Sequence, residues 1–150
     1  LFIRFGISFP AQMKDYNKVL TDNKCNALLI TDPYNLRYYT GFRGGEGSAI
    51  VTEKKKVLIV DSRYTQAAIL ETNKKGEGFE VIEFNGSKSK NSIIVDFLMQ
   101  LDGDICIGFE DRSMLVCEKA DFTEGIYKEL CERNKNKKVN YNYSKINKKY

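Results

Sequence analysis

Short, nearly continuous apolar runs alternate along this chain with longer amphipathic stretches. The two periods give its elements. Asn26-Ala27-Leu28-Leu29-Ile30 is largely apolar and bounded by polar residues, the pattern of a strand covered on both faces. Before it, Ser8-Phe9-Pro10 reads as a helix start, a capping hydroxyl followed by a proline whose missing N–H costs nothing there. Met13, Tyr16, Val19 and Leu20 then share one helical face, and Asn23-Lys24 ends that helix. Thr31-Asp32-Pro33 stops the strand and starts a short helix over Tyr34–Tyr38. Thr40-Gly41-Phe42 leads into Arg43-Gly44-Gly45-Glu46-Gly47, whose glycines predict unusual backbone angles or a close backbone approach. Ser48–Thr52 and Val57–Val60 flank a charged turn and predict an antiparallel hairpin.

Downstream the alternation continues. Asp61-Ser62 is the expected cap of a helix reaching about Asn73, and Lys74–Gly78 is a turn. Phe79–Phe84 reads as a strand and Asn85–Lys90 as a polar loop. Ile94, Phe97, Leu98 and Leu101 recur at helical spacing, with Asn91 or Ser92 as cap. Asp102-Gly103-Asp104 breaks that helix ahead of a buried strand, Ile105–Phe109. A helical region from Ser113 to about Arg133 puts Phe122, Ile126, Tyr127 and Leu130 on one face; Gly125 weakens its middle by roughly 1 kcal/mol relative to Ala. Val139–Tyr143 is the last expected strand. A hairpin plus helical crossovers makes this an α/β chain, with a mixed sheet of about six strands flanked by helices.

Length and composition narrow this to one domain. A chain of 150 residues buries enough surface to fold without staples. No apolar run approaches the roughly 18 residues of a membrane span. The opening LFIRFGISF is short, is interrupted by Arg4, and lacks a signal-peptide cleavage pattern. A first residue that is Leu, and a basic end, are what a domain cut from a longer protein presents. The net charge of +4 is concentrated late: Lys135–Tyr150 holds six lysines and no acid. A basic, Tyr-interleaved tail can bind nucleic acid, but a solvated edge strand running into a linker explains it more simply.

The chemistry-bearing residues exclude more than they offer. The chain contains no histidine. Cys25, Cys106, Cys117 and Cys131 stand singly, with no CxxC, and read as incidental thiols of a reducing compartment. Without His a zinc set would need all four scattered thiolates, and no His is present to activate a Cys or Ser nucleophile. The loop RGGEGS matches neither phosphate-binding pattern and is followed by a strand, not a helix N-terminus. Glu110-Asp111 reads as a polar turn with Arg112, and the string Ser87–Lys90 as a solvated loop. Asp61 and Arg63 at a strand-to-helix corner are either a local cap and a solvated cation or a pair holding that corner beside a site. Among the aromatics Tyr34, Tyr38, Tyr39, Phe42 and Tyr64, Tyr39 and Phe42 lie in a loop, where a core role is less automatic.

Four ordered blocks carry a resemblance: ITDPYNLRYYTGF; GSAIVT with its Lys-rich turn; VLIVDSRYTQAA; and IGFEDRSM running into a helix. Together, over about Met13 to Lys145, they resemble the N-terminal domain of the creatinase/prolidase/aminopeptidase P superfamily, nearest to Xaa-Pro aminopeptidases and Xaa-Pro dipeptidases. The resemblance implies a ribonuclease H-like mixed sheet and a larger C-terminal pita-bread catalytic domain in the parent protein, absent from residues 1–150. In that domain two Asp, one His and two Glu bind two divalent metals (Mn, Co or Zn), and a bridging hydroxide attacks an Xaa–Pro bond. A chain without His lacks that set, so it is expected to hold no metal and to be catalytically silent alone.

The work implied for this domain is to cover the active site, to select peptide substrates with proline second, and to contribute to a homodimer in a cytoplasmic exopeptidase. By resemblance Tyr39, Phe42 and Arg43 are substrate-proximal, and Asp61, Arg63 and Tyr64 support their loop; in some relatives this loop carries Trp. The competing readings are a free-standing module of the same fold that binds a peptide or partner, and nucleic-acid binding through the basic tail.

Overall fold

The computed structural model describes the backbone of residues 2–7, 16–22, 24–109, 116–134 and 140–143, and the side chains of 16–22, 24–108 and 123–134. Among the described residues twelve elements follow one another: β1 (Phe2–Ile7), α1 (Tyr16–Asp22), β2 (Ala27–Ile30), α2 (Pro33–Thr40), β3 (Ser48–Thr52), β4 (Lys56–Asp61), α3 (Thr65–Lys75), β5 (Glu80–Phe84), α4 (Lys90–Leu98), β6 (Ile105–Phe109), α5 (Val116–Arg133) and β7 (Asn140–Tyr143). The strands form one mixed sheet in the order β5-β4-β3-β2-β6-β1-β7. Pairing is antiparallel within β2–β3–β4 and parallel elsewhere.

Among the described residues the sheet therefore has seven strands where about six were expected. The extra one is β1, whose apolar sequence is broken by Arg4 and by Gly6, where the pairing register shifts. It is held as a strand by parallel neighbours on both sides, β6 and β7, which local sequence does not reveal. The expected helix start at Ser8-Phe9-Pro10, Met13, the Glu110-Asp111 turn, Ser113 and most of the basic tail lie outside the described residues.

Two core layers sandwich the sheet, and strand alternation allots every residue to one of them. Ala27, Leu29, Ile50, Val57 and Ile59 face Ile93, Ile94 and Leu98 of α4 and Ile126 and Leu130 of α5. Leu28, Ile30, Ala49, Val51, Leu58 and Val60 face Val19 and Leu20 of α1, Leu36 and Tyr39 of α2, and Ala68 of α3. Hence β2 and β3 are buried along their whole length.

Helix starts are where the sequence reading needs correction. Asp32 caps α2 as its sequence predicts, its carboxylate accepting from Asn35 N at 3.0 Å. The α4 cap is Ser89, accepting from Ser92 N at 3.1 Å, rather than Asn91 or Ser92. At α3 the residue preceding the helix is Tyr64, with no side-chain cap; Asp61 is the last residue of β4 and spends its carboxylate elsewhere. Ser87 and Lys88 are folded into a turn around Asn85 Oδ1, which accepts from both their amides at 2.9 Å, consistent with a solvated loop.

Leu98 is fully buried between the α4 and strand layers. Leu98→Ala should lower the unfolding free energy by about 2–5 kcal/mol, as a cavity-forming core deletion. Urea denaturation followed by circular dichroism reads this directly, and an unchanged midpoint would show that the α4 face is not packed.

Candidate functional site

The sequence-predicted site lies where α2 hands the chain to β3, beside the end of β4. Helix α2 ends at Gly41, in the left-handed region at φ 84°, with its N–H returning to Arg37 O at 2.9 Å. A Cβ there would also meet Glu71 O and Lys75 Cβ at 2.8 Å, so only glycine turns the chain this close to α3. The next residue, Phe42, is driven inward and is 1% exposed. Its N–H is satisfied by Thr40 Oγ1 at 3.1 Å, and that hydroxyl donates onward to Leu36 O.

Phe42 is the anchor of the loop. Tyr64 packs its ring against it edge to face, with centroids 5.9 Å apart. Gly44 lies across both rings: a Cβ would overlap the Phe42 ring and come within 3.1 Å of Tyr64 Cδ1. So Gly44 is required for close approach, while Gly45 takes a positive φ of 78°. The loop amide at Arg43 donates to Glu71 Oε2 on α3 at 2.7 Å.

The second attachment is ionic. Asp61 Oδ1 accepts from Arg63 N at 2.9 Å, folding the corner after β4. The Arg63 guanidinium then grips the same carboxylate, Nη2 to Oδ2 at 2.7 Å and Nε to Oδ1 at 3.2 Å. The same Nη2 also reaches Glu46 Oε2 in the glycine loop at 2.9 Å, and the guanidinium lies 5.1 Å from the Tyr64 ring centroid. Hydrogen bonding from Arg63 holds the Asp61 carboxyl below its ordinary range, and the same bond, with the Asp61 charge, raises Arg63 further.

Of the six predicted residues, the structure brings Phe42, Asp61, Arg63 and Tyr64 together around the loop. Arg43 is exposed on its surface. Tyr39 stands apart, 3% exposed on the buried face of α2 and packed against Tyr16 and Tyr38 with centroids 5.5 and 5.2 Å away. Phe42 and Tyr39 are thus core side chains, and Tyr39 belongs to α2 rather than to the loop; burial of two large rings outweighs their loop-like sequence context. Sequence reasoning missed Glu46, Glu71 and Thr40. Glu46 carries a signal, an acid in a glycine loop; Glu71 and Thr40 carry none, because their partners are set by the fold and the helix end.

Among the described residues no group of three His, Cys, Asp or Glu could hold a metal ion, and the sequence offers no histidine to complete one. The donor set implied for the two-metal centre is not supplied by these residues. A recess of about 430 Å³ sits at the opposite end of the β3–β4 hairpin, lined by Tyr16, Glu53, Lys54, Lys55, Lys56 and Glu80 among others. Burial, followed by Tyr39, Glu77 and Tyr38, pushes the Tyr16 hydroxyl well above its usual value, so it remains protonated. No helix among the described residues is long and apolar enough to cross a membrane.

A mixed sheet flanked by helices, with a braced loop at one end of its hairpin, defines an α/β domain. The sequence matches the family model of the creatinase/prolidase N-terminal domain over residues 13–139, and the chain belongs to that family. It is 36% identical over 89 residues to an uncharacterized peptidase, YqhT, of Bacillus subtilis strain 168, which covers 59% of this chain and 23% of that protein. Its fold is similar to the X-Pro aminopeptidase of Thermotoga maritima MSB8 (TM-score 0.58, 22% identity, 79% of this chain and 31% of that one). It is likewise similar to the N-terminal domain of the cytoplasmic peptidase PepQ of Mycobacterium tuberculosis H37Rv (TM-score 0.59, 21% identity, 84% of this chain and 86% of that one). The chain thus spans about a quarter of the length of the curated relative it matches.

Two measurements test the braced loop. Gly44→Ala should cost about 1–3 kcal/mol, because the methyl displaces the Phe42 ring from its pocket; a melting curve identical to the parent's would show that the ring has room to move. Because the folded Asp61 is shifted down, its contribution is fully present above its unfolded value and is lost as pH falls through the folded one. Amide exchange at Arg43 and Gly44 should therefore accelerate in acid, beyond intrinsic exchange, and Arg63→Met should show that faster exchange already at neutral pH.

Proposed function

We propose that this chain is the non-catalytic N-terminal domain of a metal-dependent Xaa-Pro aminopeptidase or dipeptidase. It covers the entrance of the parent's catalytic domain, contributes to a homodimer, and selects peptides with proline second. The parent works in the cytoplasm with two divalent metals, Mn, Co or Zn, held by its catalytic domain. When bound there, the metals supply an activated hydroxide. This domain supplies position and selection.

The observation that carries the reading is the exposed Arg43 on a loop whose neighbouring groups are all fastened. Phe42 is sunk into the core, the Arg43 amide is held by Glu71, and Glu46 is held by Arg63. A guanidinium presented on a fixed backbone can meet a peptide carboxylate or carbonyl without the entropy cost of ordering the loop at each binding event. Tyr39 and Phe42 act beneath it as packing, and Asp61, Arg63 and Tyr64 as its brace. Tyr34, Leu70 and Ile69 are exposed on α2 and α3, the two helices against which the loop is built, and offer apolar surface for the catalytic domain.

Hydrolysis of an Xaa-Pro peptide with added Mn²⁺ should be absent for this chain and present for the longest natural product of its gene. In that product Arg43→Ala should raise KM or lower kcat about tenfold, the loss of one charged hydrogen bond, with the melting temperature unchanged. Activity in neither protein would favour a free-standing binding module. Unfolding of the Arg43→Ala variant would make the side chain structural and remove it from the site.

A further inference from the structure

Two cysteines that the sequence separates by 81 positions meet in the fold: Cys106 Sγ lies 3.7 Å from Cys25 Sγ. We propose that they are a redox-responsive pair, closing to a disulfide when a hydroperoxide reaches Cys25.

The backbone on either side of them is fastened together. Helix α1 ends with Lys24 N–H on Thr21 O at 3.1 Å and Cys25 N–H on Leu20 O at 2.9 Å. Lys24 takes a positive φ of 53°, the one non-glycine residue to do so among the described residues. That turn swings Cys25 towards β6. Asn26 then fastens the two segments three times. Its N–H donates to Cys106 O at 3.1 Å, its Nδ2 donates to Asp104 O at 2.8 Å, and its Oδ1 accepts from Cys106 N at 2.6 Å. These bonds make Asn26 the paired neighbour of Cys106, and Cys25, the residue before it, is held with its sulfur in contact with that of Cys106. Closing the bond brings the sulfurs from 3.7 Å to about 2.05 Å.

Exposure assigns the two roles. Cys25 is half-buried and reachable, whereas Cys106 is 8% exposed. The Cys25 thiolate attacks one peroxide oxygen, the O–O bond breaks, and the sulfur becomes a sulfenic acid as the other oxygen leaves as water or alcohol. Cys106 sulfur then attacks Cys25 sulfur; the S–S bond forms, the S–O bond breaks, and the hydroxide departs as water with the Cys106 proton. Two thiols are oxidised by two electrons and one peroxide is reduced. A reducing compartment reopens the bond by thiol exchange, which suits a transient sensing disulfide. The cross-link fixes the end of α1 and the start of β2 to β6. Cys131 packs with the α4–α5 layer while Cys25 packs with the opposite layer, so exchange between those two requires unfolding.

The chain treated with stoichiometric hydrogen peroxide should lose about 2 Da in intact mass. Non-reducing peptide mapping should recover the Cys25–Cys106 link, and dithiothreitol should reverse it. The oxidised chain should melt at least about 5 °C higher than the reduced one, since a long loop is closed. Cys25→Ser should abolish the mass loss and the shift, and Cys131→Ser should leave both. A stable gain of about 32 Da at Cys25 without a cross-link, or links through Cys117 or Cys131 instead, would overturn the proposal.

Discussion

Burial of the central strands on both faces is the constraint from which the rest of this structure follows. β2, β3 and most of β4 give neither face to water, so each strand residue must suit one of two packed layers. A register slip of one position would exchange the two layers and put every side chain against the wrong partners. That is why the antiparallel β2–β3–β4 unit is rigid enough to carry a loop at one end. Its buried hydroxyls are satisfied locally: Thr40 and Thr72 donate to Leu36 O and Ala68 O of their own helices. No buried side-chain nitrogen or oxygen among the described residues lacks a partner.

The loop after α2 is an extension of that core rather than an appendage to it. Phe42 is among the largest fully buried side chains, and the glycine beside it is there because the ring is. The ion pair adds direction more than energy. Arg63 and Glu46 are both about two-thirds exposed, so their attraction is screened by water and salt. Its value is geometric: a forked guanidinium ties the loop to the end of β4 while Glu71 ties it to α3.

The opposite layer uses the same economy at α4 and α5. Burial pushes the Asp96 carboxyl up, but hydrogen bonds from Arg133 and Lys88 outweigh it and hold the group low. Gly125, which propensity alone marks as a weak point of α5, lies where a Cβ would stand 2.6 Å from Asn91 Nδ2 of α4. Helix propensity there gives way to the approach of two helices.

Local pattern determined the elements, because apolar period and turn chemistry act over a few residues. The doubly buried run Ala27–Ile30, the hairpin around Glu53–Lys56, the Asp32 cap and the α4 periodicity were all legible in that way. The ordered blocks also carried the family. What the chain alone left undecided was every outcome set by contacts far apart in sequence. β1 is a strand because β6 and β7 flank it, despite Arg4. Tyr39 and Phe42 are interior because α1 and α3 close over them. Glu46 and Glu71 matter because the fold brings them to Arg63 and to the Arg43 amide, 17 and 28 positions away. Cys25 and Cys106 became neighbours only when β2 paired with β6. Burial and long-range pairing are properties of the assembled sheet, so no window of sequence contains them.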